Sequence, residues 1–183
     1  AHRLRTRCDA IMVGANTVIR DDPQLTVRHS VVPRRPSGLR VVVDARGKCP
    51  LTARVFRDKL RSRTIVFTTS KSSTRWRRYL VELAIEVVIV AQKDGRVDLR
   101  AGLRVLGKRN VTSVLVEGGG ELIGSMFDAR LVDRVALFYA PIVIGGREAV
   151  SVVEGEGVAN VKRAVRLRDC RWRRIGNDEM LLE

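Results

Sequence analysis

The chain has 183 residues, 45% of them hydrophobic and 30% charged, which are ordinary values for a soluble domain built on one core. The formal net charge is +15, carried by 29 Arg and 6 Lys against 20 acidic residues, so phosphate-bearing partners come into view. Nucleic acid is set aside, because the basic residues are scattered over every segment, only 4% of residues are aromatic, and no nucleic-acid motif occurs.

Residues 1–7 read as the end of a helix that feeds into a strand at 10–13. They carry no apolar signal core after their basic start. No run in the chain approaches the roughly 20 apolar residues of a membrane helix, so the expectation is a cytoplasmic protein. Further strands are expected at 39–44, 64–68, 86–90 and 112–116, with helices at 73–83, 99–107 and 120–127. Near-continuous apolar runs such as Arg40-Val41-Val42-Val43 and Val87-Val88-Ile89-Val90 suit strands covered on both faces. The alternation predicts a single α/β domain over 1–183 with a mainly parallel sheet flanked by helices. After residue 130 the character changes. Segments 134–140, 164–171 and 179–182 read as strands without long helices between them, expected to add antiparallel strands at one edge. Residues 33–38, rich in proline and arginine, read as a loop.

Three stretches carry chemistry. In the first, a buried strand ends at Gly14, and Asn16 and Thr17 follow as groups able to cap the next turn and to hydrogen-bond a ligand. Asp21-Asp22-Pro23 then forces a turn, since the residue before a proline leaves helical geometry. Beside Arg20 and Arg28 these carboxylates fit either a polar pocket wall or a capped turn with surface charges, and both readings stay open. The second stretch runs from the strand Ser113–Val116 through Glu117 and three glycines, Gly118 to Gly120, into a helix. Glycines at a strand-to-helix turn let backbone N–H groups close on a phosphate. The spacing is neither G-x-G-x-x-G nor a P-loop, and a flexible turn is the alternative. Glu117, at the carboxyl end of a strand, stands where open α/β sheets place ligand-contacting residues. The third stretch, 131–146, is a core strand followed by Pro141 and a Gly145-Gly146 turn. Cys8, Cys49 and Cys170 form no CxxC pair and no zinc pattern with His2 and His29, so reduced thiols and no structural metal are expected.

Taken in order, DAI-VG--TV--DDP-LTVR, R-VVD, LVEGGG and LVD----FYAP---GG resemble the reductase family of riboflavin biosynthesis over essentially the whole chain. That family has a dihydrofolate-reductase-like fold and includes stand-alone archaeal reductases and the C-terminal half of a bacterial bifunctional deaminase-reductase. Val153-Glu154-Gly155-Glu156-Gly157 leans towards the archaeal form. The resemblance implies NADPH-dependent reduction of a ribosylaminopyrimidine 5′-phosphate to its ribitylamino form, by a homodimer. It implies that Thr17, Asp21, Asp44, Ala45, Gly119, Gly120, Glu121, Leu122, Ile123, Gly124 and Ser125 contact the cofactor. Leu25 and Arg28 would face the substrate, Arg5 would bind its phosphate, and Glu117 would be its contacting carboxylate and the candidate catalytic group. Relatives often carry serine where Ala45 stands. They also begin with a strand ending in an S-x-D-G-K-like motif, which lies before the first residue of this sequence, so the sheet is expected without it. The proton source is left open among Glu117, water and that motif's lysine. Two other classes remain open at this point: another pterin- or nucleotide-linked NADPH reductase on the same fold, and a non-catalytic nucleotide-binding protein.

Overall fold

A computed structural model describes residues 2–27, 38–175 and 178–182. The elements run α1 (His2–Arg5), β1 (Ala10–Gly14), α2 (Ala15–Asp21), β2 (Leu39–Val43), α3 (Arg54–Arg57), β3 (Thr64–Thr68), α4 (Thr74–Glu82) and β4 (Glu86–Ile89). A short hairpin, β5 (Gln92–Lys93) and β6 (Arg96–Val97), precedes α5 (Leu99–Gly107), β7 (Val114–Val116) and α6 (Gly120–Asp128). The chain ends in β8 (Ala136–Tyr139), β9 (Arg171–Ile175) and β10 (Asp178–Leu182). The loop expected at 33–38 falls outside the described residues except for Gly38.

The central sheet is wholly parallel, in the order β4-β3-β2-β1-β7. Its apolar runs are buried twice over because successive side chains point to opposite faces. Ile11, Val13, Val42 and Val66 join Val18, Val55, Phe56, Trp76 and Leu80 of α2, α3 and α4 on one face. Ala10, Met12, Val41, Ile65 and Phe67 join Leu99 and Leu106 of α5 and Leu122 and Met126 of α6 on the other. Both longer crossover helices start at a cap: Ser73 Oγ accepts from the N–H of Trp76 at 3.1 Å, and Asp98 Oδ1 from that of Ala101 at 3.1 Å.

Two polar clusters fix the sheet. Arg40 lies in β2 with 1% exposure, a charge that would be costly without partners. Its guanidinium donates to both oxygens of Asp58 at 2.6 and 2.9 Å, to Thr64 Oγ1, and to the carbonyls of Val55 and Gln24. That network ties β2, β3, α3 and the loop after α2 together. At the other end, the carboxylate of Asp9 accepts from the backbone N–H and the hydroxyl of both Thr112 and Ser113, at 2.7 to 3.0 Å. These bonds dock the start of β7 beside β1.

The last part of the chain departs from expectation in two ways. The late strands do not extend an edge of the central sheet; they form a separate antiparallel sheet in the order β8-β10-β9. β7, the neighbouring edge, is only three residues long before its glycine turn and offers little ladder to extend. The strand expected at 164–171 lies instead at Arg171–Ile175. Only two residues separate Ile175 from Asp178, and the register pairs these two and Arg171 with Leu182. Such a tight connection forces the partner of β10 to be the five residues immediately before it.

Hydrogen bonding to Thr112 and Ser113 lowers the Asp9 pKa to about 2. A depressed carboxyl pKa contributes stability that is present above the unfolded value, about 4, and lost as pH falls towards the folded one. Chemical denaturation between those limits is expected to show wild-type stability falling more steeply than that of Asp9→Asn, with the variant less stable at neutral pH. Parallel curves would rule out the docking role.

Candidate active site

The strand order reverses between β1 and β7. From β1 the chain builds outward through β2, β3 and β4, then returns to add β7 on the opposite side of β1. The connections leaving β1 and β7 therefore diverge: α2 packs on one face of the sheet and α6 on the other. A crevice must open outside the carboxyl ends of such a strand pair, and ligands of open α/β sheets bind there. A cleft of about 720 Å³ occupies this place. Its walls include Gly14, Thr17, Asp21, Asp44, Ala45, Gly119, Gly120, Glu121, Leu122 and Ser125. Nine of the eleven positions singled out for the cofactor thus meet in one cavity. Ile123 and Gly124 are not among its walls.

Gly118 and Gly119 turn the chain from β7 into α6 with φ of 65° and 77°. A side chain there would be strained by φ alone, and a Cβ at Gly119 would stand 3.0 Å from Thr17 Oγ1. Thr17 therefore packs directly on the turn. The first turn of α6 presents its N–H groups to the cleft, a donor set suited to phosphate oxygens. Asn16 Nδ2 donates to Glu121 Oε2 at 3.1 Å, and Arg96 Nη1 to Ser125 Oγ at 3.0 Å. Glycine turn, helix N-terminus and open volume fit a nucleotide with its phosphates over α6.

Asp44 takes a structural part. It is 2% exposed, and its carboxylate accepts from the backbone N–H of Cys49 at 2.7 Å and of Arg46 at 3.3 Å. It staples the loop after β2. Burial and the nearby Asp44 carboxylate push the Cys49 thiol well above its ordinary range, so this cysteine is inert at neutral pH.

On the other side of the glycine turn, Glu117 continues the ladder beyond β7, its N–H donating to the carbonyl of Met12 at 2.9 Å. Its carboxylate receives Arg5 end-on: Nε donates to Oε1 at 2.8 Å and Nη2 to Oε2 at 2.5 Å. Arg5 Nη1 donates to the carbonyl of Thr26 at 2.7 Å. Three of five guanidinium N–H groups are thus used and two remain. Two residues expected separately at the substrate therefore form one unit across 112 positions of sequence. Leu25 is 3% exposed and packs in the core, with φ of 53°. Arg28 lies outside the described residues.

Several wall residues were not anticipated. Arg20, Arg46 and Lys48 add cations, and Asp94-Gly95 of the β5–β6 hairpin forms a lip. That hairpin had a signal, the Asp-Gly pair, but its strands are two residues each. Glu154 and Val150 enter from a strap laid along α6. The Glu154 N–H donates to the carbonyl of Gly120 at 3.0 Å, and those of Glu156 and Gly157 to the Asp128 carboxylate at 2.9 and 3.3 Å. The strap comes this close because Gly120 and Gly124 leave the helix face bare; a Cβ on Gly124 would fall 1.9 Å from the Glu154 carbonyl oxygen.

The model of the RibD C-terminal domain family matches residues 1–181. The chain belongs to this family. Among curated RibD-type relatives, the 2,5-diamino-6-ribosylamino-4(3H)-pyrimidinone 5′-phosphate reductase of Archaeoglobus fulgidus is 39% identical over 94% of this chain and 76% of its own length. The protein of the same name from Methanothermobacter thermautotrophicus is 38% identical over 97% of this chain and 80% of its own. Acinetobacter baumannii RibD superposes with a TM-score of 0.82 at 23% identity, covering 99% of this chain and 48% of that one, a likeness that speaks for the fold. The RibD domain described here has no helix, among the described residues, long and apolar enough to cross a membrane.

Gly124→Ala should lift the strap from α6, since a backbone clash of that size cannot be absorbed by side-chain movement. Limited proteolysis is expected to cut within 150–157 faster than in wild type, with a stability loss of about 1–3 kcal/mol. An unchanged cleavage pattern would place the strap elsewhere in solution.

Proposed function

We propose that this chain reduces a ribosylaminopyrimidine 5′-phosphate of the riboflavin pathway, with NADPH as hydride donor. The observation that carries the reading is the cleft at the β1/β7 reversal, where Thr17, the Gly119–Gly120 turn and the start of α6 meet beside the Arg5–Glu117 pair. The names of the archaeal relatives support the reaction.

The chemistry is the reduction of a C=N bond. Opening of the ribosylamine ring exposes that bond at C1′; a hydride then adds to C1′ and a proton to nitrogen. When bound, the dinucleotide supplies the hydride, and the protein supplies orientation and electrostatics. The first turn of α6 and Ser125 would hold the pyrophosphate, and Thr17 would set the height of the turn. Glu117 keeps unused lone pairs on both carboxylate oxygens while Arg5 fixes its plane, so it would hold a sugar or pyrimidine hydrogen in one direction. The two spare N–H groups of Arg5 would take the substrate phosphate, a use suited to a planar guanidinium. Arg28 is assigned to the same phosphate on the resemblance alone.

A homodimer belongs to the same reading. β8 and β9 expose Phe138, Tyr139, Trp172 and Ile175, an apolar group that a second copy would cover.

The test is nicotinamide oxidation on mixing the chain, NADPH and 2,5-diamino-6-ribosylamino-4(3H)-pyrimidinone 5′-phosphate. Turnover is expected, and Glu117→Gln should lower kcat/KM at least about tenfold, roughly 1.4 kcal/mol of transition-state stabilisation. Bound NADPH with no oxidation on adding that substrate would contradict the reading.

A further inference from the structure

The cleft carries more positive charge than the pyrophosphate site uses. Of its four wall cations, Arg96 is committed to Ser125 and approaches Glu121 at 3.6 Å. Arg46 and Lys48 have no side-chain hydrogen bond or ion pair, and both are exposed. They stand two apart on one loop, so their charges repel and neither is relieved by a neighbouring carboxylate. The one carboxylate beside them, Asp44, is turned inward onto the loop's own N–H groups.

That loop is held still. Thr68 Oγ1 donates to the carbonyl of Asp44 and Thr69 Oγ1 to that of Ala45, both at 2.7 Å, and Trp76 Nε1 donates to the carbonyl of Cys49 at 3.0 Å. A rigid loop bearing two unpaired cations is organised for an anion before the anion arrives. Its position says which anion. The loop follows β2, whereas the glycine turn follows β7, and β1 lies between them. Two strand spacings, roughly 10 Å, separate the two places. A pyrophosphate seated over α6 cannot also reach the loop, but the far ribose of the same dinucleotide can.

Resting on the reductase reading, we propose that Arg46 and Lys48 form a monophosphate subsite that takes the 2′-phosphate of the dinucleotide. They thereby set the preference for NADPH over NADH. A dianionic phosphate monoester offers both cations charge-assisted bonds, and the 2′-hydroxyl of the unphosphorylated cofactor offers neither.

The test is equilibrium titration of NADPH and NADH, followed by nicotinamide fluorescence, on wild type and on Arg46→Gln/Lys48→Gln. The KM for the pyrimidine phosphate is measured alongside. NADPH affinity is expected to fall about 10–100-fold in the double variant, with NADH affinity unchanged, in line with two lost charge-assisted contacts. The unchanged NADH value also certifies the fold of the variant. An unaltered NADPH-to-NADH ratio would overturn the subsite while leaving the reductase reading intact. So would a raised substrate KM with unchanged NADPH affinity, which would assign the two cations to the substrate's 5′-phosphate. If wild type bound neither dinucleotide, the reductase reading would fall and the subsite with it.

Discussion

Everything in the candidate site depends on one topological constraint, the reversal of strand order between β1 and β7. Adjacent parallel strands whose following helices lie on opposite faces cannot close the space between their carboxyl ends, so a crevice is an outcome of chain routing. Its walls are then whatever residues come next: Gly14 to Thr17 on one side, Glu117 to Gly120 on the other. The glycines at 118 and 119 are what allow α6 to start against Thr17. Bulkier residues there would force the two connections apart.

The constraint is maintained by polar groups distant from the cleft. Asp9 holds the base of β7 against β1, at the end of the strands opposite the crevice. Arg40 reaches from the middle of β2 to Gln24, and so fixes the loop whose Thr26 carbonyl steadies Arg5. Arg5 in turn fixes the plane of Glu117. A buried cation in the sheet is thereby connected, through backbone carbonyls and one ion pair, to the carboxylate expected to meet the substrate.

How much of this was legible in the sequence depends on the distance over which each feature is decided. The five central strands and three longer helices were readable because their signals are local: apolar runs such as Val41–Val43, and caps such as Ser73. Nine cofactor-side positions were readable because they follow strand ends. The pairing of Arg5 with Glu117 spans 112 residues and leaves no local trace. Separation of the late strands into their own sheet is likewise a choice among partners, which periodicity does not encode. The freedom of Arg46 and Lys48 is a property of what does not surround them, visible only in three dimensions. The strap over α6 did leave a sign, since Gly120 and Gly124 sit four apart and bare one helix face.

The central claim is that the crevice between β1 and β7 is where the dinucleotide lies. Amide hydrogen exchange with and without saturating NADPH tests it most directly. Protection is expected at the backbone of residues 14–17 and 118–121, with β8, β9 and β10 unaffected by the ligand. Protection confined to other segments, in a protein shown by titration to bind NADPH, would contradict the account.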